Sequence, residues 1–233
     1  MKLYKTITLL GVLLSSAIHA HAQGLLGVDH VTVSGGYTSR ELDLLGNKIK
    51  SNGGYNFSLE GNVSLIEPRR SDIGLDLIVG AHYAHAKKSE TVLPLRLKGS
   101  LNSTDILTAL RPYVKLDENF RLFAQAGIGW AHSKLKLDAT NLLNGASTSG
   151  STSADGFVWG IGGGLEVIVD AFSIQASATY TDGFDSTYTS NWLLGIQANY
   201  WLNEQWGLGI GYMHESSDYI KGDSITGSVR FQF

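Results

Sequence analysis

Tyr55-Asn-Phe-Ser-Leu-Glu-Gly-Asn-Val-Ser-Leu65 alternates almost without fault. Tyr55, Phe57, Leu59, Val63 and Leu65 fall on one side of the period, and Asn56, Ser58, Glu60, Asn62 and Ser64 on the other. Gly61 is the one non-apolar member of the first set. Successive side chains of an extended chain point to opposite faces, so this stretch is a strand with one apolar and one polar face. A single such strand suits a soluble sandwich as well as a membrane wall.

Working outward, the same period predicts ten strands, near His30–Ser39, Tyr55–Leu65, Ile73–Ala86, Asp105–Leu116, Phe120–Ser133, Phe157–Val169, Phe172–Thr181, Trp192–Leu202, Trp206–His214 and Ile225–Phe233. Most are as long as a tilted strand must be to cross a bilayer, and longer than strands of soluble sheets. No intervening segment has a helical period. The connections alternate short and long. Asp170-Ala171 is a two-residue turn. Leu116-Asp-Glu-Asn-Phe120 and Leu202-Asn-Glu-Gln-Trp206 are near copies, and Ile66–Asp72 completes the short set. The long, polar connections are Arg40–Gly54, Lys87–Thr104, Lys134–Gly156, Asp182–Asn191 and Glu215–Ser224, and the Ser/Gly/Thr-rich stretch Ala146–Gly156 reads as a flexible loop. A soluble sandwich has no reason to sort its connections by parity, whereas outer-membrane barrels have short periplasmic turns and long extracellular loops.

The aromatic residues agree. Phe120, Phe172, Trp206 and Phe233 fall outward at the short-turn ends; Tyr37, Tyr83, Trp130, Trp159, Tyr180, Trp192 and Tyr212 fall outward toward the long loops. Two aromatic levels bracketing an aliphatic band are interfacial girdles. The predicted fold is all-β, a closed antiparallel transmembrane barrel of about ten strands, with eight as the alternative if one hairpin is misread.

Met1–Ala22 carries Lys2 and Lys5, an apolar run over Ile7–Ile18 and then Ala20-His-Ala22, the layout of a cleaved signal peptide. The run is short for an N-terminal anchor. The expected organisation is therefore a signal peptide over 1–22 and a barrel domain over 23–233, with export through the inner membrane to the bacterial outer membrane. Without Lys2 and Lys5, 16 basic residues face 21 acidic ones, a net charge near −5 that argues against a nucleic-acid partner. The absence of Cys excludes a disulfide scaffold and thiolate chemistry.

The last strand, Ile225-Thr-Gly-Ser-Val-Arg-Phe-Gln-Phe233, resembles the C-terminal signature of outer-membrane barrels. Leu110-Arg-Pro-Tyr113 and Leu122-Phe-Ala-Gln-Ala-Gly-Ile-Gly-Trp-Ala131 resemble the strand–turn–strand core of small OmpA-type, porin-like barrels. The resemblance is one of pattern over the whole mature chain. It implies that Phe231 and Phe233 form an assembly signal for the barrel assembly machinery.

Parity places Glu60, Asp76, Arg111, Lys115, Arg121, Gln125, Glu166, Gln175, Gln197 and Arg230 inward. Charges of both signs in so narrow a barrel are expected to pair across the lumen and plug it, a narrow water path being the alternative. The inward glycines Gly127, Gly129, Gly160, Gly162 and Gly164 are expected to make room for Arg and Tyr side chains opposite, with bends or close backbone approach as the alternative.

Gly160-Ile-Gly-Gly-Gly164 lies mid-strand, with no helix to aim its amides at phosphate. His82, His85, His132 and His214 come from separate strands without ligand spacing, so no metal site is expected, and no cofactor. His214-Glu-Ser216 resembles the His-x-Ser element of lipid A deacylase barrels, which implies His214 as base and Ser216 as nucleophile. Ser217 stands where that family has Asn, and the last strand as read offers no acid to orient the histidine. Ten strands also resemble the omptin proteases, but here Asp182 and Asp185 occur without an Asp-x-His. The expected function is a non-enzymatic surface or envelope barrel. Its expected partners are outer-membrane lipid and lipopolysaccharide, the assembly machinery, and a ligand at the extracellular loops. The alternatives are a small porin for ions or polar solutes, and an outer-membrane hydrolase.

Overall fold

The computed structural model describes residues 26–44, 47–51, 53–67, 72–92, 95–184, 190–217 and 220–233. The segment read as a signal peptide lies outside them. The described residues form eleven strands and no helix: β1 (His30–Leu44), β2 (Asn47–Lys50), β3 (Gly54–Ile66), β4 (Ile73–Val92), β5 (Leu95–Lys115), β6 (Phe120–Asn141), β7 (Ser147–Val169), β8 (Phe172–Gly183), β9 (Asn191–Trp201), β10 (Trp206–Ser217) and β11 (Ile220–Gln232). From β3 to β11 each strand pairs antiparallel with the next in sequence, and β11 returns to β1 with a register running from His30↔Gln232 to Leu42↔Ile220. β2 folds back only on the outer end of β1, from Glu41↔Lys50 to Leu44↔Asn47. Ten strands therefore close the wall, and the eight-strand alternative falls away.

The short turns are built from side chains that stand in for ladder partners. Asp117 Oδ1 accepts from the amides of Asn119 and Phe120, both at 2.7 Å, and Asn203 Oδ1 accepts from Gln205 and Trp206, both at 2.9 Å. The two near-identical sequences thus form the same turn. In the two-residue turn Asp170 takes φ of 51°, the sign that a tight hairpin matched to strand twist requires.

Four of the five long connections differ from the expected loops. Within Arg40–Gly54, β1 continues to Leu44 and pairs with β2, and within Glu215–Ser224, β10 and β11 stay paired to Ser216↔Lys221. β4 and β5 stay paired from Ala86↔Leu101 to Val92↔Leu95, and β6 and β7 to Thr140↔Ser147, so Lys87–Thr104 and Lys134–Gly156 are mostly a continuation of the strands. Most of the stretch read as flexible, Ala146–Gly156, is in β7. The physical reason is that alternation marks a strand only where its two faces meet different solvents. Beyond the lipid both faces meet water, and the pairing continues without the pattern.

The outward residues form an apolar belt. Leu59 is 54% exposed, Ile128 63% and Ile210 62%, an exposure that water would punish and lipid does not. Rings cluster at both rims. Trp159 and Trp192 flank Tyr180 at 5.7 and 5.4 Å, and Trp130 stacks on His132 at 5.9 Å, on the long-hairpin side. Phe172 meets Tyr200 at 4.6 Å and Trp206 meets Phe231 at 5.0 Å on the short-turn side. Leu59→Arg is accordingly expected to destabilise the barrel by about 2–4 kcal/mol in lipid, as a charge near the midplane does. Urea unfolding from vesicles checks it, and a wild-type midpoint would show that Leu59 does not face lipid.

Candidate functional site

The inward side chains fall in three levels. At the short-turn end, three carboxylates and three guanidiniums converge from six strands. Asp76 (β4) and Arg111 (β5) are Cα partners whose side chains pair at 3.2 Å, both with no exposure. Arg111 also donates to Asn62 Oδ1 at 2.9 Å and lies 5.8 Å from the Phe123 ring centroid. Glu166 (β7) pairs with Arg121 (β6) at 3.5 Å. Glu60 (β3) and Arg230 (β11), both buried, sit in register with Thr32 from opposite sides of β1. Lys115 is half-buried at the rim of this group. Buried charges are tolerable only when paired and hydrogen-bonded, and the count of three against three meets the first condition.

Part of the second condition is met by residues that the strand pattern of the sequence did not single out. Leu26–Asp29, preceding β1, enters this end of the barrel. The amide of Gly27 donates to both Asp76 oxygens at 3.2 and 3.0 Å, and that of Leu26 to Glu166 Oε2 at 3.4 Å. Arg121 Nη1 donates to Leu26 O at 2.5 Å, and Asn62 Nδ2 to Val28 O at 2.8 Å. His30 Nδ1 also donates to Val28 O, at 2.8 Å, and Asp29 Oδ1 accepts from the Ser64 amide at 2.6 Å. The Leu26 side chain, 1% exposed, packs with Tyr113 and Phe123. At this end a peptide main chain is therefore gripped by lumen charges, in addition to charges paired with one another. An apolar Leu25-Leu26 between the expected cleavage site and the first strand was the available sequence hint.

The middle level is mostly apolar, with Ile78, Leu107 and Ala109 in one cluster and Val158 buried nearby. Gln125 donates to Thr179 Oγ1 at 2.7 Å across it. A cavity of 30 Å³ beside Leu107, Gln125, Val158 and Thr179 and one of 10 Å³ beside Glu60, Gly80 and His82 have room for about two waters and one. The glycines expected to accommodate Arg and Tyr do something else. A Cβ on Gly127 would meet Thr108 O and Ala109 Cβ at 2.8 Å, and one on Gly129 would meet Ile106 O at 2.6 Å. Close approach of neighbouring backbones is the role of Gly127, Gly129, Gly162 and Gly164, with Gly164 also leaving room for the Phe123 ring, and the ring space beside Tyr113 is left by Gly74 and Gly27.

At the long-hairpin end, Arg40 and Glu215 pair at 3.4 Å, and Asn191 Nδ2 donates to Glu215 at 2.8 Å. His82 Nδ1 donates to Asp105 at 3.2 Å. All four members of the Arg40–Glu215 ion pair and the His82–Asp105 hydrogen-bonded pair are at most 3% exposed. Gln175 and Gln197, in register with Glu166 near the short-turn end, are also buried inward.

Outside the lumen, His214 Nδ1 donates to Asp223 Oδ1 at 3.0 Å, and Tyr212 Oη donates to the same oxygen at 2.6 Å. This corrects the sequence reading, which began the last strand at Ile225 and found no acid for His214. β11 starts five residues earlier, and Asp223 stands directly opposite the histidine. Ser216 lies two residues further along β10, in register with Lys221. His85 packs against Tyr55 with the rings tilted and their centroids 5.1 Å apart, and bonds Asn102. Among the described residues no group of three or more potential ligands could hold a metal. Asp182 turns to the Gly183 amide at 2.8 Å, and Asp185 is outside the described residues.

The family model for an outer membrane protein beta-barrel domain matches residues 8–197. The chain belongs to this family. It is an outer-membrane barrel, with short periplasmic turns and long extracellular hairpins. Among solved structures, this family member is similar to the translocator domain of the autotransporter NalP from Neisseria meningitidis, at 14% identity and a TM-score of 0.56, covering 100% of this chain and 98% of that one. It is similar to the transport unit of the autotransporter AIDA-I from Escherichia coli, at 11% identity and a TM-score of 0.59, covering 98% and 97%. A third is the outer membrane protease OmpT from Escherichia coli, at 10% identity and a TM-score of 0.49, covering 91% and 99%. At these identities the likeness is one of fold. No curated protein matches the sequence.

Proposed function

We propose that this barrel is a non-enzymatic envelope protein whose lumen is closed, its periplasmic end sealed by its own N-terminal segment, and whose extracellular hairpins carry its interactions. The observation that supports this reading best is the set of hydrogen bonds from Asp76, Glu166, Arg121 and Asn62 to the main chain of Leu26–Val28. A solute path would have to displace a hydrogen-bonded peptide, cross an apolar level and then break the buried Arg40–Glu215 ion pair and the His82–Asp105 hydrogen bond. In this reading residues 1–22 direct export, and the end of β11, with Phe231 and Phe233, engages the assembly machinery.

Single-channel recording in a planar bilayer tests it, with folding verified by a heat-dependent gel shift. The folded protein is expected to be electrically silent. Steady, reproducible steps would replace this reading with that of a small porin. A hydrolase is the second reading, favoured by the His214–Asp223 bond, which would hold the imidazole with Nε2 toward the outer end of β10. Release of fatty acid from outer-leaflet lipid by the wild type, abolished in Ser216→Ala, is what that reading requires.

A further inference from the structure

Above the outer aromatic rim, β4, β5, β6 and β7 leave the barrel as one continuous four-stranded sheet. Its two hairpins end side by side. Val92 and Leu95 close the pairing of β4 with β5, and Leu95 stands in register with Asn141, the last residue of β6. The turn that follows holds Leu142 and Leu143 at the tip, 46% and 83% exposed. Polar groups close this turn. The Asn141 amide donates to Ala146 O at 2.8 Å and the Gly145 amide to Asn141 O at 2.9 Å, while the Asn141 and Asn144 side chains accept from the amides of Leu143 and Ala146 at 2.9 and 3.0 Å. A formed turn thus presents two large apolar side chains to water, whereas the periplasmic turns at 117–119 and 203–205 carry polar residues alone. Behind the tip the sheet is basic. Over residues 87–102, 133–141 and 147–156, six lysines and arginines stand against three acids. Nearest the tip are Arg96, in register with Thr140, and Lys98, in register with Asp138, both exposed.

We propose that this tip inserts into the anionic bilayer of a second, apposed membrane, with Leu142 and Leu143 entering its apolar boundary and Arg96 and Lys98 meeting its phosphates. A strand rises about 3.4 Å per residue and is tilted by about 40°, so each residue adds about 2.6 Å of height. Leu142 follows Trp130 by twelve residues, which puts it roughly 30 Å above the outer rim, clear of the hydrocarbon of the barrel's own membrane. Arg96 and Lys98 stand two and four registered positions behind Leu142, about 5 and 10 Å back. Interfacial anchors have the same order: apolar residues sink about 5–10 Å into the boundary of headgroups and chains, and basic residues stay with the phosphates. A protein pocket would bury the leucines equally well, but cations set back from them by the depth of a headgroup fit lipid. Insertion rests on the reading that the extracellular hairpins carry the interactions, and is independent of whether the lumen is closed.

The full-length barrel, refolded into phosphatidylcholine nanodiscs, is mixed with vesicles of phosphatidylcholine alone or with added phosphatidylglycerol, and co-flotation is measured against empty discs. The wild type is expected to float with the anionic vesicles, less so as salt rises. Leu142→Ser/Leu143→Ser should lower its partitioning by about tenfold per leucine. Arg96→Gln/Lys98→Gln should lower it by about fivefold per cation on anionic vesicles and leave it unchanged on phosphatidylcholine. The chain has no Cys, so Leu143→Cys can carry a single polarity-sensitive fluorophore. Its emission is expected to shift to the blue on anionic vesicles, while the same label on Glu118→Cys, in a periplasmic turn, stays unchanged. A leucine variant that floats like the wild type, and keeps the heat-dependent gel shift of a folded barrel, would overturn insertion. So would an unshifted label at position 143 on vesicles that the barrel binds, which would reduce the contact to adsorption by charge. Capture by neither vesicle would overturn it as well and leave a soluble protein as the occupant of the tip. Channel steps in the bilayer recording would overturn the closed lumen alone.

Discussion

Arg111→Ala is expected to destabilise the barrel by about 3–5 kcal/mol, the cost of leaving a buried carboxylate without its counter-charge. Arg111 has no exposure. Its guanidinium faces Asp76 at 3.2 Å, donates to Asn62 at 2.9 Å and lies against the Phe123 ring. Asp76 is equally buried, and after the substitution only the Gly27 amide and weaker partners would hold its charge. The backbone around Arg111 is already atypical. The pairing of β5 with β6 skips Arg111 and Pro112, and Pro112 has no amide to donate. The measurement is the urea midpoint of the refolded protein in lipid vesicles, together with Asp76→Asn and the double variant Arg111→Ala/Asp76→Asn. If the loss comes from the stranded charge, the double variant recovers most of it. A double variant as unstable as the sum of the singles would show that the pair does not interact.

Gly27→Ala is expected to expel the N-terminal segment from the lumen and to destabilise the barrel by about 2–4 kcal/mol. Gly27 has φ of +73°, in the left-handed region that an L side chain enters at a cost of about 1–2 kcal/mol. A Cβ there would also land on the Tyr113 hydroxyl, and that ring cannot retreat because it lies directly over Gly74. The segment should therefore leave, and with it go the main-chain partners of Asp76, Glu166 and Arg121. Gly145, in the tip of the β6–β7 hairpin, is the control. Its φ is +70°, but a Cβ there meets nothing within 4 Å. Gly145→Ala should therefore show the backbone cost alone. Hydrogen exchange at the amides of residues 26–30, fast in Gly27→Ala and slow in the wild type and in Gly145→Ala, separates the two effects. Slow exchange in Gly27→Ala, with a midpoint matching Gly145→Ala, would mean that the segment is not held as described.

Legibility in the sequence followed the solvent. Within the bilayer each strand has lipid on one side and the lumen on the other, so Leu59 and Ile128 could be assigned outward and Glu60 and Arg111 inward from parity. Past the rim that contrast disappears, and the strand continuations over Lys87–Val92 and Lys134–Asn141 were read as loops. The same loss hid Asp223, two residues beyond the last alternating position, and with it the partner of His214. The inward glycines illustrate a different limit. Their position on the lumen face was legible. What a missing Cβ makes room for depends on how closely the neighbouring strand approaches, which no local pattern records.

The sequence by itself determined the strands that cross the lipid, the parity of their connections, the two aromatic rims and the set of charges turned inward. All of these follow from the two-residue period of an extended chain between unlike solvents. Only the tertiary structure decided which inward charges meet, because Asp76 and Glu166 are brought to the same short peptide by closure of the wall. It also decided that this peptide is Leu26–Asp29, a stretch without periodicity whose main chain, and not its side-chain pattern, satisfies the buried charges. A hydrogen bond between residues 140 positions apart, such as that of Leu26 with Glu166, depends on where the barrel places both ends, and local sequence carries no record of that.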